Sequence, residues 1–234
     1  MAKGGAAPYK PQQTLQGPWP MSESARFNMV EAQIRTSNVT DPRIHAAMNA
    51  VARERFVPSA SKALAYADVP VAIAQGRYLL DPRSFAKLLQ LAQIRAEDRV
   101  LDVACGTGYS SAVLARIAGE VVALEQDADL VRIASELLTN VVGKVELVQG
   151  GLVEGVKAHA PFDVIFVNGA IEQAPETLLG QLAEGGRLVT VMREGGQARA
   201  WLFVKQNGQV GRRPDFDADV PLLAGFKKAM GFVF

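Results

Sequence analysis

The stretch that most restricts the fold is VLDVACGTGYSS, residues 100–111. A short apolar run carrying an acid meets a glycine-rich turn. A strand that feeds such a turn and then a helix is the opening unit of an open α/β sheet. The chain downstream keeps alternating. DRVLDVA reads as a strand, YSSAVLARIA as a helix, EVVALEQ as a strand and ADLVRIASELLTNV as a helix. KVELVQGG and APFDVIFVNGA read as strands, PETLLGQLAEGG as a helix ending in glycines, and RLVTVMRE as a strand. ARAWLFVKQNG and a final strand follow. Alternation of this length predicts a doubly wound, mostly parallel α/β sheet. No internal repeat interrupts it.

The segment ahead of the sheet is different. SARFNMVEAQIR has apolar residues at helical spacing, SNVTDP breaks the pattern, and DPRIHAAMNAVARERF resumes it. In the second piece Asp41 is placed as N-cap and Pro42 at the first helical position. ADVPVAIAQGRYLLDP holds Pro70, Gly76 and Pro82 and reads as loop with short extended pieces. SFAKLLQLAQI reads as an amphipathic helix. Residues 1–20, rich in Gly, Pro and Gln without periodicity, read as a disordered tail or an artificial leader, with Met21 as a natural start. The expected organisation is this tail, a helical and lip region over 21–97, and an α/β core over 98–234, the last two forming one structural domain.

Composition narrows the function classes. Of 234 residues, 49% are hydrophobic and 21% charged, an ordinary globular balance. Lys and Arg number 25 against 24 Asp and Glu, so the net charge of +1 argues for neither nucleic-acid nor membrane partners. The single cysteine, Cys105, excludes an internal disulfide and a cysteine-based zinc cluster. No apolar stretch nears the roughly 20 residues of a membrane span. The expected location is the cytoplasm.

The turn itself points to a ligand. Gly106 and Gly108 let the backbone approach a bound group with no Cβ in the way. Glu125 closes the next strand, about 20 residues beyond the turn, where an acid accepts hydrogen bonds from ribose hydroxyls. Dinucleotides and S-adenosylmethionine (SAM) both carry that ribose. A dinucleotide fingerprint would need a third glycine, and Ser111 stands there. Asp102, two residues before Ala104, would repel a pyrophosphate but can position the amino group of a methionine-type ligand. The reading is therefore SAM, with NAD as the minor rival. Singly, Asp102 could cap the turn and Glu125 could be a solvated strand end. Cys105 reads as a small spacer.

With these stretches in hand, residues 27–234 resemble the protein-L-isoaspartate (D-aspartate) O-methyltransferases, a family of class I SAM-dependent methyltransferases. The carrying segments are MVEAQIRTSNVTDPRIHAAMNAVARERFVP, LAYADVPVAI, VLDVACGTGYSSAVLA, EVVALEQ, FDVIFVNGA, LAEGGRLV and PLLAGF. The N-terminal block with FVP and AYAD is the more specific part; the turn alone fits any class I methyltransferase. The resemblance implies a class I fold with an N-terminal helical extension. It implies methyl transfer from SAM to the α-carboxylate of an L-isoaspartyl residue in damaged protein. The ester then collapses to a succinimide, and hydrolysis restores some aspartate. By resemblance, Asp102, Ala104, Cys105, Gly106 and Gly108 line the methionine part of SAM, Glu125 and Gln126 hold the ribose, and Gly151 and Leu152 lie beside the adenine. Asn168, Gly169 and Ala170 border the substrate, Asn168 on the cofactor side. No metal is implied, and His45 and His159 read as surface residues.

Three positions depart from the family. Its lip usually reads G-x-T-I-S-x-P, with the serine treated as the active-site residue. Here GRYLLDP puts Tyr78 at the threonine and Leu80 at the serine, so no catalytic residue is assigned. Tyr78, Leu79, Leu80 and Asp81 then form a larger, more apolar lip, in which Asp81 could compensate for the lost hydroxyl. Gly150 stands where the family has an acid for the adenine amino group, and Ala104 replaces the first glycine of the turn. Two alternatives stay open: a SAM-dependent methyltransferase of another acceptor, a small molecule among the candidates, or a SAM-binding protein without catalysis.

Overall fold

The structure is a computed structural model that describes residues 21–141 and 143–228. The expectation for residues 1–20 therefore lies outside the described residues.

The chain opens with helix α1 (Met21–Met29), which passes through one π turn and one 3₁₀ turn and stops at Asn38 in the left-handed region. Helix α2 (Pro42–Ala50) begins where Asp41 accepts a hydrogen bond from the Arg43 amide at 2.8 Å. The expected extension of α2 to Phe56 does not form. Val51 is extended, and a separate 3₁₀ turn spans Arg53–Arg55, because the Arg53 side chain is drawn into the interior. Strands β1 (Val71–Ala74) and β2 (Arg77–Leu79) pair as an antiparallel hairpin. Helix α3 (Pro82–Ala92) follows directly. Asp81 caps it, and its Phe85, Leu88, Leu89 and Ala92 face packs against the sheet. Burying each of the larger apolar side chains is worth about 2 kcal/mol.

The sheet comprises β3 (Arg99–Val103), β4 (Glu120–Glu125), β5 (Val145–Gln149), β6 (Phe162–Ile171), β7 (Leu182–Glu194), β8 (Gln197–Gln206) and β9 (Gln209–Asp217). Its order is β5-β4-β3-β6-β7-β8-β9. The pairs from β5 through β7 are parallel, and β8 and β9 add antiparallel strands at one edge. Helix α4 (Tyr109–Leu114) crosses from β3 to β4, and α5 (Ala128–Leu138) from β4 to β5. One hydrophobic cluster joins the N-terminal helices, α3 and α4 to the sheet. A second fills the other face around Leu101, Leu124, Phe162 and Leu188.

One expected helix is largely a strand. Of PETLLGQLAEGG only α6 (Glu176–Leu179) is helical, and β7 begins at Leu182. Gln181 ends the helix. Its carbonyl accepts from the Phe162 amide at 2.9 Å, and its side chain bonds the Val156 amide and the Glu154 carbonyl. Pairing then jumps from Leu182 to Arg187 across a bulge. The bulge needs Gly186, where a Cβ would lie 2.8 Å from the Ala183 carbonyl oxygen.

Candidate active site

The chain leaves β3 to one side through β4 and β5 and returns to β6 on the other. The order therefore reverses at β3, and a crevice opens at the carboxyl ends of β3, β4 and β6. Ligands of open α/β sheets bind at such a switch point.

The turn is built around left-handed backbone. Ala104 (φ 64°), Gly106 (φ 58°) and Gly108 (φ 95°) reverse the chain, and Gly108 starts α4. Ala104 carries a Cβ in a conformation that glycine adopts freely, at a cost on the order of 1 kcal/mol. Its amide and that of Cys105 donate to the Leu124 carbonyl at 2.9 and 3.2 Å, which ties the turn to β4.

Asp102 ends inside the crevice, fully buried. It accepts from Ser111 Oγ at 2.5 Å, Asn168 Nδ2 at 2.5 Å and Ser110 Oγ at 2.7 Å. Burial raises its carboxyl to about 6 against these three bonds, and the charge of Glu125 adds to the rise. Glu125 is also buried. It accepts from the Gly106 amide at 2.9 Å, the Gln126 amide at 2.7 Å and the Asp127 amide at 3.0 Å. A fourth partner is Arg77 of the lip hairpin, whose guanidinium pairs with Glu125 Oε2. Ile73 of the same hairpin lies over the turn, 2.5 Å from where a Gly106 Cβ would stand. The hairpin is thus closed on the turn. Cys105 is buried and its thiol is pushed well above the usual range by desolvation and the nearby acids, which suits a spacer.

The lip differs from its expected form. Tyr78 points outward at 39% exposure, while Leu79 and Leu80 are buried in the core cluster. Asp81 does not face an acceptor. It accepts from the Ser84 amide at 2.7 Å as the cap of α3, which removes it as a substitute for the missing hydroxyl. Gly169 and Ala170 lie under the segment 221–226. The Ala170 amide donates to the Pro221 carbonyl, and a Cβ on Gly169 would lie 2.5 Å from Leu223. Gly151 and Leu152 follow β5. Leu152 is buried, and the Glu154 carboxylate folds back over Gly151, where a Cβ would meet it.

The structure therefore brings together Asp102, Ala104, Cys105, Gly106, Gly108, Glu125 and Asn168, with Gln126 at the rim. Four residues escape sequence reading. Ser110 and Ser111 look like ordinary helix positions, Arg77 like a solvated lip residue, and Arg53 like one charge in a polar RER run. His45, expected at the surface, is buried and bonded through Nε2 to the Val39 carbonyl at 2.8 Å. Among the described residues no cluster of three or more His, Cys, Asp or Glu is placed to hold a metal.

An open sheet reversing at its glycine turn, with acids ending the two strands beside it and helices packed ahead of it, defines a Rossmann-like protein of the class I SAM-dependent methyltransferase fold. The family follows from comparison. The protein-L-isoaspartate(D-aspartate) O-methyltransferase model matches residues 24–219, and the chain belongs to that family. It is 36% identical over 207 residues to the protein-L-isoaspartate O-methyltransferase of Methylorubrum populi, covering 88% of this chain and 98% of that one. It is 39% identical over 165 residues to that of Methanoculleus marisnigri, covering 70% and 75%. A solved protein-L-isoaspartate O-methyltransferase superposes with a TM-score of 0.74 at 25% identity, over 88% of this chain and 66% of that one. A Plasmodium falciparum structure, described as a candidate member in complex with S-adenosyl-L-homocysteine, has the same fold (TM-score 0.73, 23% identity, 85% and 97% covered).

Proposed function

We propose that this chain is a SAM-dependent O-methyltransferase acting on the α-carboxylate of L-isoaspartyl residues in proteins or peptides. The observation that carries the reading is the pairing of buried Asp102 and Glu125 on either side of the glycine turn, in a chain of this family. These residues suit the cofactor. Asp102 is placed for an ammonium group, Glu125 for two ribose hydroxyls, and the absence of a Cβ on Gly106 for close approach. Glu154, folded against Gly151, offers the acid that Gly150 lacks for the adenine amino group.

When bound, SAM supplies a methyl group on a sulfonium. An acceptor carboxylate is ionised at neutral pH, so the chain needs no general base. Its work is alignment and exclusion of water. The β1–β2 hairpin closes over the turn, Asp102 and Asn168 hold the floor, and Leu79 and Leu80 keep the lip dry. Among the described residues no helix is long and apolar enough to cross a membrane. We place the protein in the cytoplasm, without nucleic-acid or membrane partners, in keeping with its balanced charge and single cysteine.

A second reading rests on Leu80. Its apolar side chain fills the place of the family serine, which favours another acceptor, such as a small apolar molecule, or SAM binding without turnover. The deciding experiment is methyl transfer from SAM to an isoaspartyl peptide, read as a mass shift beside the matched aspartyl peptide. Transfer to the isoaspartyl form alone supports repair. SAM binding with no transfer sinks the repair reading and leaves the second.

A further inference from the structure

Arg53 is fully buried in a 3₁₀ turn, far in sequence from the glycine turn. Its Nε donates to the Ala65 carbonyl at 2.6 Å, and its Nη2 donates to the carbonyl of Leu80. The guanidinium lies over the Tyr109 ring, 4.8 Å from its centroid. Its Nη1 has no partner among the described residues, and neither has the hydroxyl of Tyr109, itself buried. Both side chains line one small cavity of about 10 Å³, with Leu80, Ala104, Cys105 and Asn168 in its wall. That is room for about one water molecule. The cavity therefore lies where the lip meets the floor of the crevice.

Two unsatisfied donors at one cavity wall ask for an acceptor. A buried cation asks in addition for an anion. Among the described residues the hydrogen-bond partners of Arg53 are carbonyls and not carboxylates, and Asp81 is committed to the α3 cap. Burial keeps the Tyr109 hydroxyl protonated and hence a donor.

We propose that Arg53 Nη1 and the Tyr109 hydroxyl bind the acceptor carboxylate, supplying from the floor of the crevice the donors that Leu80 cannot supply from the lip. The proposal rests on the repair reading for its acceptor. One carboxylate oxygen sits on the two donors, and an oxygen of the same group attacks the methyl carbon. The new O–C bond forms as the C–S bond breaks, its electron pair goes to sulfur, and no proton moves. The anion becomes a neutral ester and the sulfonium a neutral thioether. Arg53 therefore holds the charged acceptor about as tightly as the transition state, where the oxygen keeps much of its charge, and more tightly than the neutral ester. Its loss falls on KM rather than kcat, and its grip weakens as product forms. Acceptor entry requires the hairpin to move, since the cavity as it stands is too small for a carboxylate.

The test is steady-state kinetics with an isoaspartyl peptide on wild type, Arg53→Lys and Tyr109→Phe. Melting and S-adenosyl-L-homocysteine affinity serve as controls. Arg53→Lys is expected to raise the peptide KM by about tenfold or more, as for a displaced charged partner, with kcat within about twofold. Tyr109→Phe is expected to raise KM about threefold to tenfold, as for one hydrogen bond. A peptide whose isoaspartyl carboxylate is replaced by carboxamide should bind wild type at least about tenfold more weakly than the carboxylate peptide. This last comparison needs no variant and, read together with Tyr109→Phe, keeps the role open to refutation if Arg53→Lys fails to fold. Folded variants with unchanged KM, or a carboxamide that binds as well as the carboxylate, overturn the role of Arg53 and leave repair standing. A wild type that binds cofactor and methylates no isoaspartyl peptide overturns the repair reading and this role with it.

Discussion

At the scale of single residues, two acids set the behaviour of the site. Asp102 titrates near 6, above the ordinary 3.8, because burial outweighs its hydrogen bonds from Ser111, Ser110 and Asn168. A raised acid stabilises the fold where it is protonated. Its contribution is therefore fully present below about pH 4 and lost as pH rises through about 6, by about 3 kcal/mol. A ligand ammonium reverses the preference, since it favours the ionised carboxylate. S-adenosyl-L-homocysteine should bind about tenfold more weakly per pH unit below about 6, and Asp102→Asn should flatten that profile. Calorimetric titration from pH 5 to 7 checks this, and an unchanged Kd across that range would count against an ammonium on Asp102. Glu125 has a different competitor. Arg77 sits on the carboxylate proposed for the ribose, so the ligand must displace it. Arg77→Gln should tighten S-adenosyl-L-homocysteine by several-fold to about tenfold, because the cost of opening a buried pair is removed. Weaker binding in that variant would mean that Arg77 holds the cofactor instead of excluding it.

At the scale of elements, the lip is governed by how α3 begins. Asp81 caps α3, and the preceding carbonyl, on Leu80, accepts from Arg53. The hairpin, the cap and the buried arginine are consecutive parts of one support. Asp81→Ala should cost about 1 kcal/mol, as N-cap losses do. For a chain of this size that lowers Tm by about 2–4 °C. Asp81→Asn, which keeps the capping oxygen, should restore most of the loss. Equal melting of the two variants would sink the capping argument. The short α6 shows the same priority of tertiary contacts. Leu182 pairs with Phe162 in the sheet, although its neighbourhood has helical spacing.

At the scale of the whole molecule, the hairpin lies over the glycine turn with Arg77 on Glu125, and a ligand that takes Glu125 must move it. The ligand must therefore select a state that the fold does not favour. A ligand held at about 100 times its Kd still stabilises the native chain by about 2.7 kcal/mol. S-adenosyl-L-homocysteine should accordingly raise Tm by about 5–10 °C, while NAD, whose pyrophosphate Asp102 repels, should leave it unchanged. A shift with NAD and none with S-adenosyl-L-homocysteine would reverse the cofactor assignment.

Local sequence determined what depends on local chemistry. Alternating apolar runs placed the central strands of the sheet, Asp41 precedes a helix that starts at Pro42, and the glycines marked the turn with Asp102 and Glu125 beside it. Those features follow from backbone preference and side-chain periodicity, which neighbours in the chain decide. Tertiary structure alone decided the rest. It turned LAEGG into strand by offering β6 as a partner, buried His45 against Val39, and covered Gly169 with the 221–226 segment. It also joined Arg77 to Glu125 and Arg53 to Leu80 and Tyr109. The reason is physical: whether a charged side chain is solvated or buried depends on what packs around it, and those neighbours lie tens of residues away.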